Sequence, residues 1–456
     1  MELDAILLSR LQFAFTLGFH ILFPTLTLGL APFLVLLEVL WLRSGKEVYM
    51  RLYRFWAKLF GLAFGLAFGM GVVTGVVLSF EFGTNFAPFS RATGNVLGPL
   101  LAYEVLMAFF LEAGFLPVML LGWGRVGGRL HLFATCMVAL GTYLSAFWIL
   151  AANSWMHTPA GFALADGVFF PVDWWQVVFN PSFPYRLAHM LTASLLTGAF
   201  VVAGVSAWRL LHRGHEQASR RAFSLAMGAA LVFSAGQIAL GDLHGLQVQR
   251  DQPMKVAAME ALWQTRAAAP FVVFALPDME ASANRHALEI PYATSLILKH
   301  DRDGVVLGLD QVAADQRPHV PTVFFAFRIM VGIGFLLFAV AVAGLILRLR
   351  GVLYSRPWFL RLCIACTPLG LVAVIAGWVA TEVGRQPWVV QGMMTTAEAA
   401  TPLAMSTVAF SLALYLLLYA VLLPVFLYFF ARLVAHGPEQ ELPAQVRAMR
   451  RTAWYR

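Results

Sequence analysis

Two glutamates, Glu104 and Glu112, lie inside an apolar run that extends from Leu101 to Gly114. An acidic side chain at the centre of a membrane helix costs roughly 2.5–3.5 kcal/mol to insert, so it needs a proton, a metal, a cofactor or a polar cavity as a partner. On one α-helix, eight positions place the two side chains about 80° apart around the axis and roughly 12 Å apart along it. The two glutamates are therefore expected to line one polar seam, unless they are neutral acids that only hold neighbouring helices together.

The composition of the whole chain is that of an integral membrane protein. Of its 456 residues, 60% are hydrophobic and 12% are charged, and the mean hydropathy is +0.74. The charged fraction is about half that of an ordinary soluble domain. The net charge of +8 does not indicate nucleic-acid binding, because the basic residues flank predicted membrane helices. The three cysteines lie in apolar segments, where core packing is expected rather than disulfides or a metal site: Cys136, Cys363 and Cys366.

An all-α polytopic membrane fold is predicted, with about nine transmembrane helices of about 20 apolar residues each. The chain divides into helices one to six (1–241), a long extracytoplasmic loop (242–321), helices seven to nine (322–434) and a basic cytoplasmic tail (435–456). The first apolar run is too long for a signal peptide and is interpreted as a retained span. The predicted spans lie near 6–42, 55–80, 95–123, 130–152, 186–211, 220–241, 322–348, 358–383 and 402–434.

Basic residues alternate between the predicted connections. Arginines and lysines cluster after spans one, three, five and seven and in the tail, whereas the other connections are almost free of them. The positive-inside rule then predicts an outer N-terminus and a cytoplasmic C-terminus, which agrees with an odd number of spans. The helix count places the loop 242–321 outside, and loops of this length usually carry function or are disordered.

One segment of this loop, 253–263, has helical spacing of its apolar residues, with Lys255 and Glu260 among them. The pattern alone is typical of an amphipathic surface helix. Because the two charged residues are five positions apart, they are not expected to share one helical face.

A few polar or metal-ligating side chains lie at comparable depth, in the outer half of the predicted membrane or near its middle. Singly, a histidine is more often a hydrogen-bonded core residue, and a methionine is nearly always packing. Together they suggest a haem site, because imidazole and thioether are axial ligands and guanidinium groups pair with propionates. The candidates are His20, which is expected to lie deepest, His189, Arg328, Met330, Glu382, Arg385 and Arg10.

The other histidines are expected to be solvated. They lie at predicted cytoplasmic helix ends or in the predicted extracytoplasmic loop 242–321, where water satisfies an imidazole without a specific partner. They are His131, His212, His215, His244, His286, His300 and His319.

Longer motifs give a resemblance over essentially the whole chain. The motifs are Ser9-Arg-Leu-Gln-Phe13, Phe82-Gly-Thr-Asn85, the run from Glu104 to Glu112, Phe324-Phe-Ala-Phe-Arg-Ile-Met330 and Gly384-Arg-Gln-Pro-Trp388. With them the chain resembles subunit I of the cytochrome bd family of quinol oxidases. The last motif, after an intramembrane glutamate, is highly specific. The short loop is similar to that of the short-loop, cyanide-insensitive-oxidase-like subgroup, which lacks a large insertion.

The resemblance implies a low-spin haem b and a quinol site. His189 and Met330 would be the axial ligands of this haem, with Arg328 adjacent. Lys255 and Glu260 match the quinol-oxidising loop of the family.

The resemblance also implies two high-spin haems, one of them a haem b and the other a haem d or a further haem b. His20 would be an axial ligand in this pair. Glu104 and Glu382 would coordinate or flank the two haems, and Arg385 and Trp378 would support the site. Which high-spin haem belongs to His20 and which to Glu382 stays open.

The implied function is that of a quinol:oxygen oxidoreductase in the bacterial inner membrane. Membrane quinol would be oxidised at the outer face and O₂ reduced to water, with charge separated without pumping. Glu112 and Ser145 would belong to a proton path from the cytoplasm, completed by a homologous subunit II. Many members also have a small single-span subunit.

Two other classes of function stay open from the residues alone. In a proton-coupled transporter, Glu104, Glu112 and the arginines would form an ion path, although the chain lacks the two similar halves with broken helices typical of such proteins. A non-catalytic haem b electron carrier would need only His189 and Met330. A reduced-minus-oxidised visible spectrum would separate the three classes.

Overall fold

The structure of the protein is a computed structural model that describes residues 4–213 and 216–454. Side chains are described in these ranges except at 65–76, 79, 108–109 and 450–454. The described chain is mainly helical, which confirms the predicted all-α membrane fold. Small antiparallel hairpins lie in the connections between helices.

The elements are numbered in chain order. The helices are α1 (Ala5–Ser44), α2 (Glu47–Thr84), α3 (Ala87–Met107), α4 (Gly114–Leu121), α5 (Gly128–His157), α6 (Trp174–Val178), α7 (Phe183–His212), α8 (Gln217–Asp251), α9 (Pro253–Met259), α10 (Ala293–Lys299), α11 (Val320–Leu349), α12 (Pro357–Ala365), α13 (Leu369–Val383), α14 (Thr396–Ala399), α15 (Met405–His436) and α16 (Ala444–Trp454). The paired strands are β1 (Phe162–Ala165) with β2 (Val168–Pro171), β3 (Phe271–Asp278) with β4 (Ala283–Ile290), and β5 (Trp388–Val390) with β6 (Met394–Thr395).

Eight helical segments within the described residues are long and apolar enough to cross a membrane. The predicted span 55–80 lies in α2, whose side chains are described only in part, so the total of nine stays a prediction. α8 continues to Asp251 instead of ending near 241. Its last turns carry polar side chains that face other helices, such as the buried Gln247. A prediction based on apolar residues alone therefore places the end of this helix too early.

α1 and α7 cross at a contact between two glycines. A Cβ on Gly29 would lie 2.3 Å from the backbone oxygen of Ser194, and a Cβ on Gly198 would lie 2.6 Å from the carbonyl carbon of Gly29. Small residues let membrane helices approach this closely. His20 and His189 each precede the crossing by nine residues, which is about 13 Å along a helix. The two histidines therefore lie at similar depth, whereas the sequence predicted a deeper His20.

The connection between α8 and α11, residues 252–319, is here called the outer loop, and it is a packed unit. β3 and β4 form its hairpin, in which Phe271 pairs with Ile290. Trp263, Val272 and Leu309 belong to a hydrophobic core that also includes the first turns of α11. The sequence did not predict this hairpin, because β4 is almost wholly exposed and so lacks an alternating apolar pattern.

The basic tail packs against the start of α2. Glu439 lies 2.7 Å from Arg54 and 2.8 Å from Lys58, measured between carboxylate oxygens and side-chain nitrogens. The tail therefore closes the end of the bundle that carries the basic connections. His215 and Arg456 lie outside the described residues.

Candidate functional site

Four helices form a ring around the predicted low-spin ligand pair. α7 packs against α8, α8 against α11, α11 against α13, and α13 against α7. α7 and α11 therefore face each other across the ring, and they carry His189 and Met330 respectively. In helix bundles, cofactor sites are built from side chains on such facing helices.

Close glycine contacts define the depth of these two residues. A Cβ on Gly370 would lie 2.5 Å from the Oγ1 of Thr197, and a Cβ on Gly377 would lie 2.8 Å from the sulfur of Met330. Gly377 is seven residues beyond Gly370 on α13, and His189 is eight residues before Thr197 on α7. At 1.5 Å per residue, Met330 lies about 10 Å from the level of the contact between Gly370 and Thr197, and His189 lies about 12 Å from that level. The thioether and the imidazole are thus nearly level across the ring.

The imidazole of His189 has an incomplete set of hydrogen bonds. Its Nε2 lies 3.0 Å from the Nε2 of Gln237 on α8, and its Nδ1 is buried without a partner among the described residues. The ring of His244 lies 5.4 Å away between centroids, and its Nε2 is likewise buried and unpartnered within the described chain. Buried polar atoms normally have partners, so a group outside the polypeptide is expected here. A haem ligated through an imidazole fits this donor set.

A second buried cluster is centred on Glu382, at the end of α13. Its Oε2 lies 2.6 Å from the Nη2 of Arg385, and its Oε1 lies 3.1 Å from both the Nε2 of His157 and the Nδ2 of Asn153. Arg186 on α7 lies 3.8 Å from the same carboxylate and donates to the Oδ1 of Asn153. α5, α7 and α13 therefore meet at one carboxylate. We call these five side chains the Glu382 cluster.

Lys255 reaches the Glu382 cluster from the outer loop. Its Nζ lies 2.9 Å from the Nδ1 of His157 and donates to the Oε1 of Gln252 at 2.6 Å. The residue is 2% exposed, and its Cγ would lie 2.8 Å from a Cβ on Gly384. Burial, together with the charge of Arg186, lowers the pKa of the Lys255 ammonium well below its usual value.

The Glu382 cluster has more positive than negative charge. Arg385 and Arg186 share one carboxylate, and the Nε of each is buried without a partner among the described residues. A buried cation that lacks a partner is costly, so an anionic group is expected beside them. Guanidinium groups bind carboxylates in a bidentate geometry, and haem propionates are carboxylates. The residues present therefore suit the acidic edge of a haem.

Glu260 and Arg328 connect the outer loop to α11. The Oε2 of Glu260 lies 2.6 Å from the Nη2 of Arg328, whose Nε donates to the backbone oxygen of Val272 at 2.8 Å. Burial raises the pKa of the Glu260 carboxyl, and the charge of Arg328 opposes this shift. Glu260 is 7% exposed and Lys255 is also buried. The interpretation of 253–263 as an amphipathic surface helix is therefore wrong, because the loop and the bundle cover both of its charged residues.

Both glutamates of the third predicted span face α5. The hydroxyl of Ser145 donates to the Oε1 of Glu104 at 2.6 Å. Gly141 leaves room for Glu112, since a Cβ there would lie 2.8 Å from the Cγ of Glu112. The span is not one continuous α-helix, because Ala108–Ala113 is π-helical. A π-helical turn interrupts α-helical periodicity and is frequent at functional sites, so the rotation calculated for eight α-helical steps does not hold.

The remaining predicted site residues lie around these groups. Trp378 packs against apolar side chains of α5 and α7 close to the Glu382 cluster. His20 is half-buried on α1, which packs against α13. Arg10 is half-buried at the start of α1, near Asp4.

Several contacts of these clusters were not predicted. Three of the partner residues lie near the ends of helices, where polar side chains are ordinary: His157, Asn153 and Arg186. The available signal was the recurrence of polar side chains on one face of the helix along 131–157, at spacings of three, four, seven and eight residues. His131, expected to be solvated, is fully buried, and the Nε2 of His244 is buried on α8. Both expectations are wrong, because neighbouring helices cover these side chains.

Comparisons with known proteins point to one family over nearly the whole chain. The model of the family described as cytochrome bd terminal oxidase subunit I matches residues 8–438. The cytochrome bd ubiquinol oxidase subunit 1 of Bacillus subtilis (strain 168) is 35% identical, over 96% of this chain and 95% of that protein. The cytochrome bd-II ubiquinol oxidase subunit 1 of Escherichia coli (strain K12) is 34% identical, over 97% and 99% respectively.

A solved structure agrees with both comparisons. The bd oxidase from Geobacillus thermodenitrificans superposes with a TM-score of 0.87 at 34% identity, covering 95% of this chain and 99% of that one. The four-helix ring, the buried cationic cluster and the span-length helices are thus found in a chain whose sequence and fold both match one family. The chain belongs to the family of cytochrome bd terminal oxidase subunit I.

Proposed function

We propose that the chain is the haem-binding subunit of a membrane quinol:oxygen oxidoreductase, which oxidises quinol at the outer face and reduces O₂ to water. The observation that carries this proposal is the pair His189 and Met330, which are nearly level on facing helices. Bound haem would supply electron transfer and oxygen chemistry, whereas the chain supplies ligands, charge compensation and protons. A transporter has no comparable need for a thioether opposite an imidazole.

The low-spin haem b would be held by His189 and Met330. A Met/His pair raises the reduction potential of a haem, which suits an acceptor of electrons from quinol. Arg186 and Arg385 would bind the propionates, because both have a buried Nε without a partner among the described residues. Arg328 is a weaker candidate for this role, since Glu260 and a backbone oxygen already occupy its donors.

The two high-spin haems, one haem b and one haem d or further haem b, are assigned jointly to His20 and Glu382, with Glu104 flanking them. The packing of α1 against α13 supports a shared site, since these helices carry His20 and Glu382. Trp378 would form part of its apolar wall.

Quinol would be oxidised where the outer loop meets the bundle, at Lys255 and Glu260. The Nζ of Lys255 can hydrogen-bond an oxygen of quinol, because it is held in place by His157 at 2.9 Å and by Gln252 at 2.6 Å. Through His157 this amine is linked to the Glu382 cluster, so the site lies close to the proposed propionate binding groups. Protons released from quinol would leave on the outer side.

Protons for water formation would come from the cytoplasm, which would separate charge without a pump. Glu112, Glu104 and Ser145 would carry them, because each acid has a close neighbour on α5 and no fixed cation is bonded to either within the described chain. Hydroxyl and carboxyl groups can both donate and accept, which a relay requires. The N-terminus would then be outside and the C-terminus cytoplasmic, in a bacterial inner membrane.

A homologous subunit II would cover the face of α3. Glu104 is only half-buried there, and exposed apolar side chains such as Tyr103, Val105 and Leu106 surround it. A carboxylate facing lipid is costly, so a second protein is expected to complete this surface. A small single-span subunit, as in many members, would add to the complex.

Visible spectra of the purified membrane protein test the proposal. The wild type should show one low-spin and two high-spin haems in the reduced-minus-oxidised difference, and pigment extraction should distinguish haem d from haem b. His189→Ala should lose the low-spin signal, whereas Met330→Leu should keep that haem but lower its potential or make it high-spin. A protein without haem would favour a transporter, and a single low-spin haem would favour an electron carrier. An unchanged low-spin signal in both variants would remove these residues as ligands.

A further inference from the structure

A basic pocket lies where α7 ends, α8 begins and α15 ends, at the end of the bundle that carries the basic connections. Its volume is about 740 Å³. Pockets of about 300–1,000 Å³ hold drug-sized ligands, so a phosphate with its glycerol would fit. The pocket takes no part in the haem, quinol and proton sites proposed above. Its charged and titratable lining residues are Arg209, Arg213, Glu216, Arg432 and His436.

The most buried cation of the basic pocket is Arg209 on α7. The residue is 4% exposed, and its Nη1 donates to the backbone oxygen of Val434 at 2.9 Å. Its Nη2 donates to the carboxylate of Glu216 at 2.8 Å, and its Nε does so at 3.1 Å. Gly437 has a φ of +77°, and a Cβ at this position would overlap the guanidinium. The surrounding chain therefore holds one positive charge in a fixed place beside the cavity.

The basic pocket has more positive than negative charge. Glu216 is the one carboxylate among its described lining residues, and Arg209 and the hydroxyl of Ser219 already bond it. Arg213 and Arg432 have no side-chain hydrogen bond or ion pair within the described chain. Two arginines beside one cavity thus remain free to bind an anion. Guanidinium groups bind phosphate oxygens in a bidentate geometry.

An exposed apolar stripe on α15 leads to these arginines. At about 100° per residue, Val421, Val425, Phe429, Arg432 and His436 fall within about 80° of the helix surface. Val421 is 57% exposed, and Phe429, which also lines the pocket, is 43% exposed. We call Val421, Val425 and Phe429 the α15 stripe. From Val421 to Arg432 the helix rises roughly 16 Å, which is close to half of the bilayer hydrocarbon thickness of about 30 Å.

Arginines near helix ends are ordinary in membrane proteins, because they orient the chain and offset the partial negative charge of helix C-termini. Arg209 has this second role, since it binds the carbonyl of Val434 near the end of α15. Arg213 and Arg432 bind no carbonyl within the described residues. The basic pocket also combines a cavity with an apolar approach, in the order expected for a ligand that has hydrocarbon chains and an anionic head.

We propose that the basic pocket binds the phosphate of one anionic phospholipid, whose acyl chains lie along the α15 stripe. Arg213 and Arg432 bind the phosphate oxygens, and Arg209 adds a fixed positive charge beside them. Basic pockets between membrane helices are a known kind of site for anionic lipid headgroups. This inference goes beyond quinol oxidation and does not depend on it.

Native mass spectrometry of the purified oxidase complex tests the site, with phosphatidylglycerol as the probe and phosphatidylcholine as the zwitterionic reference. The wild type should retain one phosphatidylglycerol in preference to phosphatidylcholine. Arg213→Gln combined with Arg432→Gln should weaken this binding by about tenfold or more, because two guanidinium groups at the phosphate are removed. Arg350→Gln combined with Arg356→Gln is the matched control, since it removes the same charge from exposed positions between α11 and α12. The control should bind the lipid as the wild type does.

Inorganic phosphate and chain length distinguish a lipid site from a site for a free anion. Excess inorganic phosphate should leave long-chain phosphatidylglycerol bound. Dihexanoyl phosphatidylglycerol should bind about tenfold or more weakly than the long-chain lipid, because it covers less of the α15 stripe. Val425→Ser changes the stripe outside the pocket lining, so it should weaken binding of the long-chain lipid and leave the dihexanoyl lipid unaffected.

Each outcome decides for or against the lipid site. Weaker binding in the pocket variant, with the control unchanged, supports it. Equal weakening in the control would reduce the effect to general surface charge and overturn the proposal, as would unchanged binding in the pocket variant or a wild type without preference for phosphatidylglycerol. Displacement of the lipid by inorganic phosphate would indicate a free-anion site and overturn the assignment to a lipid. If the double variant does not assemble, Arg432→Gln alone decides: binding weaker by about threefold or more supports the site, and unchanged binding overturns it.

Discussion

Glu382 and the pair Glu104 and Glu112 are acids at the ends or centres of apolar helices, but their neighbours differ. Glu382 is bonded by Arg385 at 2.6 Å, with Arg186 at 3.8 Å and an imidazole at 3.1 Å. Glu104 is bonded by a hydroxyl at 2.6 Å, and Glu112 lies against a glycine. Fixed cations hold a carboxylate in its charged form, whereas hydroxyl neighbours leave protonation free to change. We therefore propose that the same residue type binds cations beside a haem at one place and carries protons at the other.

The backbone contributes to this difference. Glu382 lies in the last turn of α13 and Arg385 follows just beyond its end, so an acid and a base three positions apart point into the same pocket. Glu104 and Glu112 lie on either side of the start of a π-helical turn, and Gly141 of α5 admits Glu112 closely. Several helices therefore converge to form the Glu382 cluster, whereas the proposed proton relay is formed where two helical segments are in contact.

The largest effect on stability is expected from Glu382→Gln. Removal of the carboxylate leaves Arg385 and Arg186 buried without their common partner, which costs about 3–5 kcal/mol for a broken buried pair. Glu104→Gln keeps an amide oxygen that can accept from Ser145, and no cation is bonded there within the described residues, so it should cost about 1 kcal/mol or less. Thermal unfolding of the detergent-solubilised protein, with haem content measured in parallel, checks both. Equal losses of stability in the two variants would contradict the difference drawn between Glu382 and Glu104.

The next largest effect is expected on the rate of O₂ reduction, in the variant Glu112→Leu. The variant should keep the low-spin haem and slow O₂ reduction by about a hundredfold, a usual contribution of positioned acid–base groups, with a disturbance of the neighbouring high-spin haems. In proteoliposomes the wild type should alkalinise the side that corresponds to the cytoplasm in proportion to the oxygen consumed. If the variant turns over at the normal rate with normal charge separation, Glu112 is a structural acid.

Lys255→Ala and Glu260→Ala test whether the proposed quinol site lies beside the Glu382 cluster. Each should depress turnover with quinol by about tenfold or more, because a hydrogen-bonding group at the substrate is removed, while all haem spectra stay intact. Oxidation of an artificial donor that bypasses the outer loop should be spared. Similar losses with both donors would indicate misfolding instead of a quinol site.

The smallest effect is expected from Ser145→Ala. It removes the hydrogen bond to Glu104, worth about 1 kcal/mol, so O₂ reduction should fall by roughly fivefold. Thr93→Ala is the matched control on α3, because its hydroxyl donates only to its own helix, at the backbone oxygen of Phe89. Oxygen consumption at saturating quinol measures both. A rate for Ser145→Ala equal to that of Thr93→Ala would exclude the hydroxyl from the relay.

The sequence by itself determined the class of fold and the family. Apolar length, helical periodicity and basic connections are local properties, and motifs such as Gly384-Arg-Gln-Pro-Trp388 are read directly. The same local information identified Glu104, Glu112 and Glu382 as anomalies, because a charge in an apolar run is visible without a structure.

Only the tertiary structure decided what each acid meets. Partners of Glu382 come from α5 and α7, and Lys255 contacts one of them, His157, from the outer loop, so no spacing in the sequence relates them. The burial of His131 against Glu38 and the π-helical turn that contains Glu112 are likewise results of packing. The physical reason is that the charge state of a buried group depends on neighbours within a few ångströms, and helices far apart in the chain bring those neighbours together.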